Sequence, residues 1–284
     1  MKKIYLLALL CLPFVQLKAQ DGVVFKIKYL PNRDYKMTIN MGMNIKATLT
    51  GDQSIIDKLN TEGITQPVTV DIQFGADGDM KTGAVAGDNM MPLNMDFKLD
   101  NIAVTANGKQ APIPQTITGK DIKAVGRVGQ DGLSMMIDSV AGKKTNDSTQ
   151  KNMQQMMSLI QKQIKFPDKA LKPGDTFTQG MPLNIPVTKE NNVKMDAGVT
   201  YKLVSISDGK AYFDLVPNVS MNFSIKKIAV SVTGTGTGKL VYSIKDNFPL
   251  SKQINFDMKI KVTSDKLNVD GTATITTSSN TVIN

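Results

Sequence analysis

The chain has 284 residues, 34 Lys and Arg against 25 Asp and Glu, a formal net charge of +9, one cysteine, and no histidine or tryptophan. Without histidine, and with its single thiol at Cys11, it has no Ser-His-Asp triad, no Cys/His zinc site and no intrachain disulfide. Catalysis would fall to carboxylates, lysines, hydroxyls or a bound metal, so a non-enzyme without cofactor or metal is the expectation.

Lys2 and Lys3 precede an apolar run from Ile4 to Val15, the pattern of an export signal. The run is shorter than the roughly 20 residues a transmembrane helix needs, and no second span follows. Ala8-Leu9-Leu10 ahead of Cys11 lacks the small residue that a lipid-anchor site requires. Cleavage is expected after Ala19, leaving a periplasmic or secreted chain. It removes Lys2, Lys3 and Lys18 and no acid, which lowers the charge from +9 to +6. Solubility accounts for a charge of that size. Lys143-Lys144 and Lys226-Lys227 are only pairs without an aromatic platform, so no nucleic-acid partner is expected.

Val23 to Leu30 reads as a first short strand, and Pro31-Asn32-Arg33-Asp34 as a turn. Tyr35, Met37, Ile39, Met41, Met43, Ile45, Ala47 and Leu49 then alternate with polar or small residues. Period 2 without a slip predicts one long strand with one buried and one wet face. At about 3.3 Å per residue it reaches roughly 50 Å, and a strand of that length must coil. Ile55, Ile56 and Leu59 have the spacing of a helical turn. Val68 to Phe74 resumes the alternation, with Asp77-Gly78 as a hairpin signal. Leu93, Met95, Phe97 and Leu99 form a strand whose phase shifts at Asp100-Asn101, the sign of a bulge or turn. Asn107-Gly108 is a further turn, Pro112-Ile113-Pro114 an irregular crossing, and Gly129 to Gly132 a hairpin between Ile122–Val128 and Leu133–Val140.

A linker, Ala141 to Asn146, leads to the one substantial helix expected, Ser148 to Phe166. Met153, Met156, Met157, Ile160 and Ile164 form its apolar stripe, and Phe166-Pro167 ends it. Strands follow near Met195–Ser207, Lys210–Val216, Val219–Ile225, Ile228–Thr237, Lys239–Lys245, Gln253–Val262 and Leu267–Thr277, with a frayed tail from Ser278. Pro173-Gly174-Asp175-Thr176-Phe177 echoes Pro31-Asn32-Arg33-Asp34-Tyr35. Val199–Ser205 with Asp208-Gly209 echoes Val68–Phe74 with Asp77-Gly78. The expected organisation is a signal at 1–19, an N-terminal β half at 20–146, a Met-rich helix at 147–167 and a C-terminal β half at 168–284. The two halves form one domain with an internal repeat. The fold class is mainly β: a long curved antiparallel sheet, a half-barrel or open barrel, with the helix packed on it.

Lys172-Pro173-Gly174-Asp175-Thr176-Phe177, the run Thr233-Gly234-Thr235-Gly236-Thr237-Gly238 and Asn247-Phe248-Pro249-Leu250 together resemble a family of secreted Bacteroidota proteins of unknown function. That family brings no catalytic residues to carry over. The overall pattern looks like the half-barrels of periplasmic lipid and lipoprotein carriers, an analogy of fold and not of function.

Three features invite a functional reading. Gly234, Gly236 and Gly238 share one strand face. They lack the spacing of a phosphate loop, and a stripe free of side chains lets a sheet bend or a helix approach. Paired acids can serve glycoside hydrolysis or hold calcium, but nearly all of Asp77, Asp79, Asp131, Asp208 and Asp214 sit at glycine-containing turns, which they stabilise. The methionines number 17. Core filling ranks first for them as a set, an adaptable apolar cavity second and a thioether Cu(I) site third. The expected function is binding of an apolar small molecule or lipid between sheet and helix, by Met37, Ile39, Met41, Met43, Met153, Met156, Met157 and Ile160. The alternative is a structural or interaction module with a filled core and an envelope protein as partner.

Overall fold

A computed structural model describes residues 22–111, 121–129, 134–140, 143–144, 164–180, 183–186, 192–225 and 227–284. The elements run β1 (Asp34–Gly51), α1 (Gln53–Thr61), β2 (Val68–Thr82), β3 (Met90–Ala106), β4 (Lys109–Gln110), β5 (Asp121–Gly129), β6 (Met135–Val140) and β7 (Lys143–Lys144). They continue with β8 (Thr176–Gly180), β9 (Leu183–Pro186), β10 (Asn192–Ser207), β11 (Lys210–Ile225), β12 (Ile228–Ser243), β13 (Phe248–Thr263) and β14 (Leu267–Ile283). All pairings are antiparallel and lie in one sheet, in the order β7-β6-β5-β3-β2-β1-β14-β13-β12-β11-β10-β8. Among the described residues its two ends do not meet, so the sheet stays open. The first and last strands pair along nearly their whole length, from Tyr35↔Ile283 to Gly51↔Leu267, and so join the two halves of the chain.

Sequence periodicity explains the strands. In β1 the residues of the Met37–Leu49 series are half-buried, and most of those between are exposed. The connections have the required turn chemistry: Asn107-Gly108 and Asp208-Gly209 all take positive φ, as two-residue hairpin turns demand. The register of β2 against β3 shifts between Gln73 and Gly75, opposite Asp100 and Ala103, with Asn101 at φ 53°. This is the bulge that the phase change at Asp100-Asn101 predicts. The single helix among the described residues, α1, begins where Asp52 accepts from the Ser54 amide at 2.9 Å. It buries no residue.

Several expectations are corrected. Val23 to Leu30 is an extended segment with one bridge to Leu171, not a paired strand. Asp77-Gly78 is no hairpin: both residues lie inside β2, opposite Thr38 and Met37. Lys210–Val216 and Val219–Ile225 are one strand, as are Ile228–Thr237 and the following segment to Ser243. The tail from Ser278 to Ile283 is ladder, held by β1 and continued by the Asn284 amide donating to Asp34 O at 3.0 Å. The end of the expected helix is not helical, since Ile164 to Pro167 have no regular structure. The rest of that helix, the signal segment, Pro112-Ile113-Pro114, Asp131 and the linker before Lys143 lie outside the described residues.

The core occupies one end of the sheet. One cluster gathers Phe25, Ile164, Phe166, Leu171, Tyr201, Leu203, Phe213, Leu215, Leu240 and Tyr242. A second gathers Tyr29, Tyr35, Met80, Met91, Leu93, Met95, Val128, Ile137 and Phe248. The segment before β1 crosses this end and joins the two. Phe25 enters the first cluster, Tyr29 the second, and Ile27 packs against both. The Phe25 ring lies 5.2–5.3 Å from the rings of Phe166, Phe213 and Tyr242, edge-on to the last two. Polar groups fix the segment. The Val23 and Leu171 amides each donate to the other residue's carbonyl at 2.9 Å, the Leu30 amide donates to Tyr35 Oη at 2.7 Å, and Tyr242 Oη donates to Lys26 O. Thr82 Oγ1 donates to Leu30 O at 2.6 Å and accepts from the Arg33 amide at 3.0 Å.

Candidate functional site

The register shows which side chains share the face that carries the core. From β2 to β11 one row reads Phe74, Met41, Thr277, Ile254 and Gly238, and the next reads Ile72, Met43, Ile275, Phe256 and Gly236. Farther along come Val70, Ile45, Ala273, Met258 and Gly234, then Ile260, Val232 and Met221. Over these rows the face is almost wholly apolar. The opposite face carries Lys36, Thr38, Asn40, Asn44, Lys46, Asp257, Lys259 and Lys261 in the same strands.

Burial along the face is uneven. In β11 the inward residues from Ala211 to Val219 are buried, whereas Met221, Phe223 and Ile225 are only half-buried. In β13 Phe248 is buried, while Ile254, Phe256, Met258, Ile260 and Val262 are half-buried. Away from the core end, the described residues leave an apolar sheet face with partial shielding from its own neighbours. A β-carbon on Gly236 would stand 2.2 Å from Asn255 O, and one on Gly238 would stand 2.4 Å from Gln253 O. Strands β12 and β13 therefore approach closely at these glycines, and the side that carries them, with the core, is termed the inner face.

Of the residues singled out in the sequence, Met37, Ile39, Met41 and Met43 share this face and are half-buried. Met37 packs against the second core cluster, and the other three continue outward along β1. Met153, Met156, Met157 and Ile160 lie outside the described residues. The carboxylates are on the other side of the sheet. Asp77 accepts from Thr38 Oγ1 at 2.8 Å and Asp214 pairs with Lys239 at 3.8 Å, both in solvent, while the half-buried Asp79 pairs with Lys81 at 3.6 Å. Asp34 is the exception in its titration. Burial and the neighbouring Asp79 carboxyl raise its pKa, against the pull of Lys81 and Lys36.

Among the described residues of the long strands β1–β3 and β10–β14, one charged residue interrupts the apolar face: Lys252. It is in phase with Ile254, Phe256 and Met258, and stands directly across from Leu240 on β12 and Ser279 on β14. Thr277 and Thr281 flank Ser279 on the same face, opposite Met41 and Met37. The result is a polar island of one ammonium and three hydroxyls at the border between packed core and open face. Burial holds the Lys252 pKa below the ordinary lysine value, and no carboxylate pairs with it among the described residues. Sequence reasoning missed it, because the strand was started one residue late at Gln253. Extending the alternation back from Ile254 would have placed it.

No protein family and no curated protein matches the chain. Among solved structures it is similar to OccK11 (OpdR) of Pseudomonas aeruginosa at 6% identity and a TM-score of 0.21, over 91% of this chain and 98% of that one. It is similar to OccK7 (OpdD) of the same organism at 7% and 0.19, over 88% and 99%. The beta domain of the Bordetella autotransporter Brka matches at 8% and 0.16, over 86% and 99%. Overlaps of this size carry no argument about this chain. No helix among the described residues is long and apolar enough to cross a membrane.

Proposed function

We propose that the protein is a non-catalytic binding protein of the cell envelope that holds an apolar ligand, a lipid or acyl chain, on the inner face of its curved sheet. The observation that carries this reading is the face itself: apolar from β2 to β11 and only half-buried beyond the core end. A filled sandwich covers such a face with a second layer. A concave apolar surface with few polar groups is the usual form of a small-molecule site. Met41, Met43, Met221 and Met258 on this face have unbranched chains that repack around ligands of different shape. The export signal read at Lys2 to Ala19 supports the envelope. A non-catalytic role is supported by the chain's lack of histidine and by Asp214, which stands in solvent beside Lys239.

The polar outer face sets this arrangement apart from a lipid-embedded barrel, whose outward residues form an apolar band. Here Lys46, Lys259 and Lys261 point outward where such a band would lie. Titration with a polarity-sensitive hydrophobic dye tests the reading. Saturable binding, competed by acyl lipids and lost on Phe256→Asp, is expected. Absence of a saturable site, together with a stoichiometric protein partner, would replace it with the structural role.

A further inference from the structure

We propose that Lys252 anchors the anionic head of the bound amphiphile, so that the ligand class is a long-chain carboxylate lying with its head at the closed end of the face. The inference rests on the apolar-ligand reading above and specifies its chemistry. The inner face of the long strands carries one cation among the described residues, and it stands at one particular level. Across the sheet that level reads Ala76, Ile39, Ser279, Lys252, Leu240 and Phe213. On its core side lie Tyr35, Tyr242 and Phe248, fully packed. On its other side the half-exposed apolar rows begin.

A lysine in solvent needs no partner. One set beside Leu240 and Ile254 is costly without a partner, and burial shows in its lowered pKa. No carboxylate among the described residues supplies the opposite charge, and an incoming one would. The hydroxyls of Ser279, directly opposite, and of Thr277 and Thr281, one pleat to either side, can donate to its oxygens. From Lys252 the apolar row of β13 runs through Ile254, Phe256, Met258 and Ile260 to Val262. That is roughly 33 Å at about 3.3 Å per residue, long enough to support an extended acyl chain. Head and tail positions thus lie on one strand in the order an acyl carboxylate requires. Replacing a charge-assisted contact of this kind with a neutral one costs at least about tenfold in affinity.

Calorimetric titration of the purified full chain with dodecanoate and with dodecanol tests the assignment. The wild type is expected to bind dodecanoate at least about tenfold more tightly than dodecanol. Lys252→Met should bind the two alike, and Lys252→Arg should keep the preference. Equal affinities in the wild type, or a preference that survives in Lys252→Met, would overturn the anchor and leave the apolar-ligand reading standing. Binding of neither compound would overturn both.

Discussion

Gly236 on β12 stands directly across from Phe256 on β13, and the Phe256 ring occupies the space that a Gly236 side chain would fill. Phe256 Cδ2 is 3.0 Å from the position of a Gly236 β-carbon, and Phe256 Cζ is 2.9 Å from that of Gly234. The glycines therefore serve the bend: they let β13 close onto β12 and let an aromatic ring lie flat on the inner face. The same relationship recurs on β2, where Phe97 Cε1 comes within 2.7 Å of the β-carbon position of Gly78.

This predicts a reversal of the usual strand rule. Glycine in a strand ordinarily costs about 0.5–1 kcal/mol relative to alanine. Gly236→Ala should instead destabilise by about 1–3 kcal/mol, the range for forcing atoms into a filled space. Gly271→Ala meets only Lys46 O at 3.4 Å and Ala47 Cβ at 3.5 Å, ordinary contacts. It should be neutral or stabilising. Urea unfolding of the two variants measures the contrast.

The segment before β1 is predicted to be essential to the core. Phe25 is 2% exposed and touches three aromatic rings. Phe25→Ala should cost about 3–5 kcal/mol. Val24→Ala, at a side chain 46% exposed on the same segment, should change stability by less than about 0.5 kcal/mol. Equally small changes in both variants would show that the segment is not docked.

The long alternation of β1, the bulge at Asp100-Asn101 and the Asn-Gly and Asp-Gly turns were legible because each is a local rule: side-chain period, phase and positive φ. What escaped depended on neighbours. Pro217 stands between the two strands expected at Lys210–Val216 and Val219–Ile225. It lies inside β11 at a gap in the β11–β12 ladder, between Leu215↔Gly238 and Asn218↔Thr235, where its missing N–H costs nothing. Asp77-Gly78 had the composition of a turn, but Gly78 serves the Phe97 ring instead. The polar tail after Thr277 looked frayed because its partner, β1, lies more than 200 residues away in sequence. Of the site, the β1 methionines were legible from alternation alone. Lys252 stands one residue before the strand expected at Gln253–Val262, and Ser279 and Thr281 lie in the stretch expected to fray, so the expected strand bounds stop short of them.

Exposure along the inner face predicts how charge is tolerated. Leu203 is fully buried in the first core cluster, and Leu203→Asp should unfold the chain, because an unpaired buried carboxylate costs several kcal/mol. Met41→Asp, on the half-exposed part of β1, should lower stability by only about 1 kcal/mol while abolishing dye binding. Thermal melts and dye titration of both variants decide it. Unfolding of Met41→Asp would identify this face as plain core.

Asp34 gives a prediction in pH. Its pKa is raised, first by burial and then by the Asp79 carboxyl, so the folded chain binds this proton more tightly than the unfolded chain does. The resulting stability is complete below the unfolded carboxyl value and is lost as pH rises through the higher folded value. At neutral pH Asp34 is therefore a liability. Asp34→Asn should raise the melting temperature at pH 7, and the gain should shrink as pH falls below the folded value. A gain that is constant with pH would contradict the Asp34–Asp79 coupling.

The account turns on whether the inner face is occupied in the cell. Native mass spectrometry of the protein released gently from its own envelope, followed by solvent extraction, reads this directly. The account predicts an added mass that leaves on extraction as an acyl compound and is absent from Phe256→Asp. A bare chain mass with nothing apolar in the extract would contradict it.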